Sequence, residues 1–313
     1  MTREHAWLAR LGATIGPETD AIKVGIGDDA AVLDASGPLV WTVDAQVEGV
    51  HFTRALASLE DIGFRSITTA TSDVAAMGGR PVAILSSLIA VSIDGAELDA
   101  IVAGQREAAA VVGAPVVGGN VSRGAQLSLT VSVLGATATP LRRVGARDGD
   151  GVWLLGPVGQ AAAGLALLQR GIPIDTPELI ECVRAWRRPT ARIAGGLAIA
   201  TRASAAIDVS DGLAADVAHL ANASGVTVTL DADACIAAGG TALATACAAL
   251  GLAPLDLALA GGEDYALVAT SRMPLGDAGF TWIGQITGGP PRVLVRSGGE
   301  LVPPPPGWDH GNQ

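Results

Sequence analysis

Aromatic residues are scarce: the chain of 313 residues holds one Tyr and three Phe, and aromatics make up 3% of it. Stacking platforms for single-stranded nucleic acid are therefore few. A net charge of -11 and a sequence pI near 4.7 repel a polyphosphate backbone unless cations intervene, so no nucleic-acid partner is expected. Cysteine is scarce as well. Cys182, Cys235 and Cys247 are odd in number and lack CxxC spacing, which argues against a disulfide framework or a zinc site and for a reducing, cytoplasmic setting. Charged residues stop at 16% and mean hydropathy is +0.42. No segment is both charge-rich and poor in apolar residues, so extensive disorder is not expected. The N-terminal segment carries Arg3, Glu4 and Arg10 and does not read as a signal peptide. One uncharged stretch, 234–255, is long enough to span a bilayer, but it is mostly Ala interrupted by Gly239, Gly240, Thr241, Thr245 and Pro254. It reads as a buried helix around 240–250, and no membrane partner is expected.

What is present is apolar mass and punctuation. Hydrophobic residues make up 49% of the chain, with 41 Gly and 17 Pro, enough for two ordinary domains with sizeable cores and many tight turns. Strand-like and helix-like stretches alternate, which predicts an α/β (α+β) chain. An apolar run at 39–43 ends at Asp44, and helix formers over 59–77 stop at Gly78-Gly79-Arg80-Pro81. A strand at 82–93, a helix at 95–112 and a Gly-rich turn at Gly118-Gly119-Asn120 are expected next. Leu127, Leu129, Val131 and Val133 then alternate with Ser128, Thr130 and Ser132, the pattern of a half-buried strand. The segment 139–151 gathers Arg142, Arg143, Arg147, Asp148 and Asp150 with Gly, and a domain boundary is placed there, separating 1–141 from 142–313. Beyond it the pattern restarts, with a strand at 152–155 and helices after Gly159, over 176–187 and after Thr190. A strand at 205–209 enters the tight loop Ser210-Asp211-Gly212, and Leu213, Val217 and Leu220 then recur at helical spacing. Strands at 226–230 and 265–269 follow.

The aspartates concentrate the chemistry. Asp28, Asp29, Asp44, Asp73, Asp208 and Asp211 sit at the ends of expected elements beside Gly, Ser or Thr. Any one of them reads as a turn former or a helix cap. As a set, carboxylates at strand ends and in Gly-rich loops project into a crevice and offer hard oxygen ligands suited to Mg²⁺. An acidic chain that binds a nucleotide needs such cations to screen two sets of negative charge. No GxxxxGK[ST] loop occurs, and no GxGxxG stands between a strand and a helix. The expectation is phosphoryl chemistry without a classical phosphate loop, with Lys23 and Arg143 as candidate phosphate partners. No G-x-S-x-G occurs to support a nucleophilic triad. His51 stands seven residues after Asp44 as a packing or ligand residue, and Gly261-Gly262-Glu263-Asp264-Tyr265 offers backbone N–H groups and two acids, or a plain turn.

Six motifs converge: GIGDDAAVL at 25–33, VDAQVEGVHF at 43–52, SDVAAMGGRP at 72–81, GGNVSRG at 118–124, AIDVSDGLAADVAHL at 206–220 and GGEDYALV at 261–268. In this order and spacing they resemble the thiamine-monophosphate kinases. The resemblance implies ATP-dependent phosphorylation of thiamine monophosphate to thiamine diphosphate by direct in-line transfer assisted by several Mg²⁺ ions. It also implies a two-domain fold similar to aminoimidazole ribonucleotide synthetase. The N-terminal domain, a mixed sheet, would bind ATP and metal and form a homodimer; the C-terminal domain would be α/β. Matched residue by residue, Asp28, Thr42, Asp44, Asp73, Asn120, Asp208 and Asp211 fall on metal positions. Gly119, Asn120, Arg143 and Ser210 fall on nucleotide positions, and His51, Glu263 and Trp308 on substrate positions. No side chain is expected to form a covalent intermediate.

Three positions depart from the family pattern. Asn120 replaces a common metal-binding Asp, Ala103 stands where an aromatic residue often meets the adenine, and Val43 replaces a common Thr beside Asp44. Two other readings remain open at this point: another ATP-dependent enzyme of the same superfamily, or a nucleotide-binding module without catalysis.

Overall fold

The computed structural model describes residues 20–24, 30–34, 36–92 and 94–305. The chain divides into two compact units, Met1–Val74 with Gly79–Ala138, and Ala75–Gly78 with Thr139–Gln313.

The first unit is built on a four-stranded mixed sheet. A short antiparallel pair, β1 (Ile22–Val24) and β2 (Val32–Leu33), precedes β3 (Leu39–Val47), the helix Leu59–Ala76, β4 (Arg80–Ala90), the helix Gly95–Val112, β5 (Val116–Arg123) and β6 (Ser128–Ala136). The order across the sheet is β3-β6-β4-β5; β6 runs antiparallel to both its neighbours, and β4 and β5 are parallel. The expected alternation holds in β6, where Leu129, Val131 and Val133 are fully buried. Local chemistry sets the helix ends. Ser58 Oγ accepts from the Asp61 N–H at the start of the first helix. Asp94 and Glu97 form a capping box on the second, which ends at left-handed Gly113. Gly63 and Gly104 let these two helices meet backbone to backbone: a Cβ on Gly63 would collide with the Ile101 carbonyl, and one on Gly104 with that of Glu60.

One expectation is corrected here. Gly118-Gly119-Asn120 is not a turn but lies inside β5. A Cβ on Gly119 would strike the Ser86 carbonyl of β4, so glycine serves the close approach of two strands at this position.

The second unit carries a seven-stranded sheet. Its strands are β7 (Gly151–Leu155), β8 (Ala205–Asp208), β9 (Val226–Asp231), β10 (Leu267–Ser271), β11 (Thr281–Gly288), β12 (Arg292–Ser297) and β13 (Glu300–Val302), in the order β13-β12-β9-β11-β7-β10-β8. Only β9 and β12 pair in parallel. Val152 and Leu154 of β7 face a large core shared with the helices Gln160–Gln169, Pro177–Arg187, Leu213–Ser224 and Gly240–Leu250. Trp153 and Leu155, pointing the other way, join a smaller cluster with Ala206, Leu267, Ala269 and Phe280.

Among the described residues no single helix is long and apolar enough to cross a membrane. The uncharged stretch folds as Ala232–Ala238 and Gly240–Leu250, bent by 95°, with Cys235, Leu243, Ala246 and Cys247 in the core.

Candidate active site

In the first unit, β3 presents two faces of opposite character. Val40, Thr42, Asp44 and Gln46 alternate with Leu39, Trp41, Val43 and Ala45. The first set turns to the helix Leu59–Ala76: Thr42 Oγ1 donates to Asp73 Oδ2, and Gln46 Oε1 accepts from the fully buried Arg65 Nε at 3.0 Å. Asp44 lies on this same face two residues beyond Thr42, and its Oδ1 accepts from the Ala45 N–H at 2.8 Å. Thr42 and Asp73 are thus brought together, with Asp44 on the same face of the strand. Asn120 is not. It shares a cross-strand row with Ser87, Thr130 and Ala45, on the sheet face opposite Asp44, whose own row runs through Val131 and Ser86 to Gly119.

At the end of β3 the chain turns back on itself, and the His51 N–H donates to the Val47 carbonyl at 2.9 Å. His51 Nδ1 accepts from the Val47 N–H at 3.1 Å. Lys23 lies beside the carbonyl of Asp20 and the carboxylate of Asp34. Asp28 and Trp308 lie outside the described residues.

In the second unit two loops are stitched together by their backbones. The pairing of β8 with β10 continues past both strands: the Val209 N–H donates to the Ala266 carbonyl, the Tyr265 N–H to the Val209 carbonyl and the Glu263 N–H to the Ser210 carbonyl at 2.7 Å. This sets Ser210 and Asp211 beside Glu263. Among the described residues Glu263 and Tyr265 are the non-glycine residues with positive φ, at 58° and 48°, a conformation that persists only where the surroundings enforce it. Glu263 Oε2 accepts from Trp186 Nε1 at 2.8 Å, so a buried indole fixes the orientation of its carboxylate. Arg143 is exposed, its carbonyl accepting from Ser224 Oγ at 3.1 Å.

Two acids that the motif reading did not single out hold these loops. Asp216 Oδ2 accepts from the N–H groups of both Ser210 and Asp211 at 3.0 Å. Its pKa is pushed up to about 7, chiefly by burial and then by the charges of Asp208 and Asp211, against the pull of the two N–H donors. Asp264 accepts from Gly159 N–H at 2.7 Å and Ala161 N–H at 3.2 Å, satisfying the first turn of the helix Gln160–Gln169 from across the fold. Its pKa also rises to about 7, mainly by burial. The sequence offered a weak signal for Asp216, an acid in the first turn of a helix; it marked Asp264 only as one of two acids in the 261–265 loop, not as a cap for a distant helix, and gave none for Trp186. Among the described residues no three of His, Cys, Asp or Glu gather closely enough to hold a metal by themselves.

The Asp264 linkage has a definite sign. The folded form binds its proton more tightly than the unfolded chain, so the stability it contributes is present below the ordinary value of 3.8 and is lost as pH rises toward about 7. Thermal melts of wild type and Asp264→Asn at stepped pH are expected to show wild type losing ground to the variant between pH 4 and about 7 and running parallel above it. Parallel curves throughout would contradict the shift.

Comparison with known proteins adds the family. Residues 27–137 match the model of the AIR synthase related protein, N-terminal domain. The chain is 38% identical over 278 residues to the thiamine-monophosphate kinase of Mycobacterium tuberculosis, covering 88% of this chain and 82% of the relative. Over 247 residues it is 36% identical to that of Aquifex aeolicus, covering 78% and 80%. Among solved structures it is similar to AaThiL complexed with AMPPCP and TMP, at 34% identity and TM-score 0.79 over 87% of each chain. It is also similar to the thiamine-monophosphate kinase of Stenotrophomonas maltophilia K279a, at 32% identity and TM-score 0.79 over 95% and 96%. The hydrogenase maturation protein HypE in complex with ATP, at 19% identity and TM-score 0.70 over 87% of this chain and 85% of that one, shares the fold. On the extent of these identities, the chain belongs to the thiamine-monophosphate kinase family.

Proposed function

We propose that the chain transfers the γ-phosphoryl group of ATP in line to the phosphate of thiamine monophosphate, forming thiamine diphosphate and ADP with several Mg²⁺ ions and no covalent enzyme intermediate. Membership of the kinase family carries this reading, and likeness to the protein holding AMPPCP and TMP supports both substrates. Direct transfer accords with the thiols: burial pushes Cys182 and Cys235 up to about 12, which leaves neither as a nucleophile near neutral pH.

The donor set suits Mg²⁺. The Thr42 hydroxyl and the carboxylates of Asp28, Asp44, Asp73, Asp208 and Asp211 are hard oxygen ligands, and so is the Asn120 amide, assigned to a different ion from Asp44 because it lies on the other face of the sheet. Magnesium sites of this kind use one or two carboxylates and complete their shell with substrate phosphates and water, in keeping with small acid groups rather than an all-protein cage. The crowding of Asp208 and Asp211 that helps lift Asp216 is a repulsion that a divalent cation would relieve. Bound Mg²⁺ would supply charge neutralisation and alignment of the phosphate oxygens. The remaining work falls to the chain itself. Asp216 fixes the N–H groups of Ser210 and Asp211 and so presents the Ser210 side chain to the nucleotide. Gly119 and Arg143 are assigned to the nucleotide as well. His51 and Glu263, the latter oriented by Trp186, take the substrate together with Trp308.

The first unit is assigned ATP and metal binding and the contacts of a homodimer. On the outward face of its sheet Leu39, Trp41, Val43 and Leu85 are 49%, 76%, 64% and 43% exposed, an apolar patch of the kind that association covers. The three free, buried cysteines accord with a cytoplasmic setting.

Two variants test this reading. Asp44→Asn is expected to lower kcat by about 10²-fold or more, the loss that follows removal of one electrostatic contact to a transition state, with the thermal midpoint retained; unchanged kcat would contradict the assignment. Trp41→Glu is expected to sediment as a monomer where wild type sediments as a dimer, and a dimer of unaltered affinity would rule out this face as the interface.

A further inference from the structure

Arg192 differs from the other arginines whose contacts define the units. Arg54 donates to Glu48, Arg202 to Asp277, and Arg170 and Arg272 to backbone carbonyls. Arg192 Nε is shielded from solvent and donates to no acceptor among the described residues. No carboxylate acts on the guanidinium, and burial alone lowers its pKa.

Its surroundings are specific. The guanidinium lies over Gly156, where a Cβ would stand 2.9 Å from Nε, 3.0 Å from Nη2 and 3.1 Å from Cζ. Gly156 has φ of 104°, a value few other residues adopt, so both the conformation and the space are set by glycine. Gly156 opens the loop between β7 and the helix Gln160–Gln169. Three residues on, Gly159 is held by Asp264, the neighbour of Glu263. Glu263 in turn holds Trp186, six residues before Arg192. The loop at 156–161, the loop at 261–265 and the segment at 186–192 therefore form one contiguous neighbourhood within the second unit.

A shielded guanidinium N–H without an acceptor is costly. Natural chains retain such a cost where function uses the group. Its planar fork of donors matches the oxygens of a phosphate. We infer that Arg192, cradled on Gly156, is a phosphate-binding residue that donates to a phosphate oxygen of a substrate held beside the Glu263 loop. The inference rests on the kinase reading for its substrates. The phosphate belongs either to the acceptor monophosphate or to the nucleotide, and steady-state kinetics separate the two.

The experiment compares full-length wild type with Arg192→Gln and Arg192→Lys, measuring kcat, the KM of each substrate with Mg²⁺, and the thermal midpoint. Arg192→Gln is expected to raise the KM of one substrate about tenfold or more, as loss of a charge-assisted hydrogen bond does, without lowering the thermal midpoint, since no protein acceptor is lost. A rise confined to thiamine monophosphate assigns the acceptor phosphate; one confined to ATP assigns the nucleotide. Arg192→Lys, which keeps the charge but not the fork, is expected to recover part of the affinity and also serves if the Gln variant does not fold. KM and kcat within twofold of wild type in both variants would overturn the inference. So would a fall in thermal midpoint with equal loss toward both substrates and no rescue by Lys.

Pyrophosphate supplies an arm independent of catalysis. With Mg²⁺ it is expected to raise the thermal midpoint of wild type and not of Arg192→Gln, and equal shifts would overturn the inference. Wild type that makes no thiamine diphosphate yet shows this difference would sink the kinase reading alone.

Discussion

The arrangement of the second unit depends on backbone hydrogen bonds that continue the β8–β10 pairing beyond the strands, through Val209 and Ser210 on one side and Glu263, Tyr265 and Ala266 on the other. Ser210, Asp211 and Glu263 are placed by that ladder. It brings Ser210 and Asp211 beside Glu263, and it forces positive φ on Glu263 and Tyr265, a strain of about 1 to 3 kcal/mol per residue that irregular loops seldom hold without support. The support comes from buried carboxylates. Asp216 gathers the N–H groups on the Ser210 side and Asp264 ties the Glu263 side to the helix Gln160–Gln169. Both acids occupy positions where burial opposes their charge. Their value to the fold is the satisfaction of backbone donors that would otherwise be orphaned.

The first unit solves a different problem, that of one sheet serving two faces. Alternation along β3 sends Thr42, Asp44 and Gln46 toward a helix lined with Arg65, Thr69 and Asp73, and sends Leu39, Trp41 and Val43 outward. A single-residue slip of β3 would exchange the two sets. The nine paired positions between β3 and β6 therefore fix the placement of the carboxylates as well as the strand. The same register separates Asn120 from Asp44, on opposite faces of the sheet.

Much of this was legible in the sequence, for identifiable reasons. Helices with capping residues and stop glycines, such as Gly95–Val112, and strands with clean alternation, such as β6, carry their own local signals. Clustered acids at element ends pointed to Asp44, Asp73, Asp208 and Asp211, and the motif resemblance supplied Thr42 and the family. What escaped was non-local. The glycines at 118 and 119 read as a turn because nothing nearby in sequence reveals the Ser86 carbonyl that demands glycine at 119. Trp186, Asp264 and Arg192 act on partners 77, 105 and, for Arg192 over Gly156, 36 positions away, distances that no periodicity reports. Tail strands β11 to β13 lacked the long apolar runs that mark the central ones.

The central claim is that these paired loops and carboxylates serve direct phosphoryl transfer between two phosphorylated substrates. Incubation with thiamine monophosphate, Mg²⁺ and ATP labelled in the γ-phosphate, followed by chromatographic separation, tests it most directly. The account predicts that label appears in thiamine diphosphate, mole for mole with the ADP formed. Label recovered as inorganic phosphate, or ATP left unconsumed by folded protein, would contradict it.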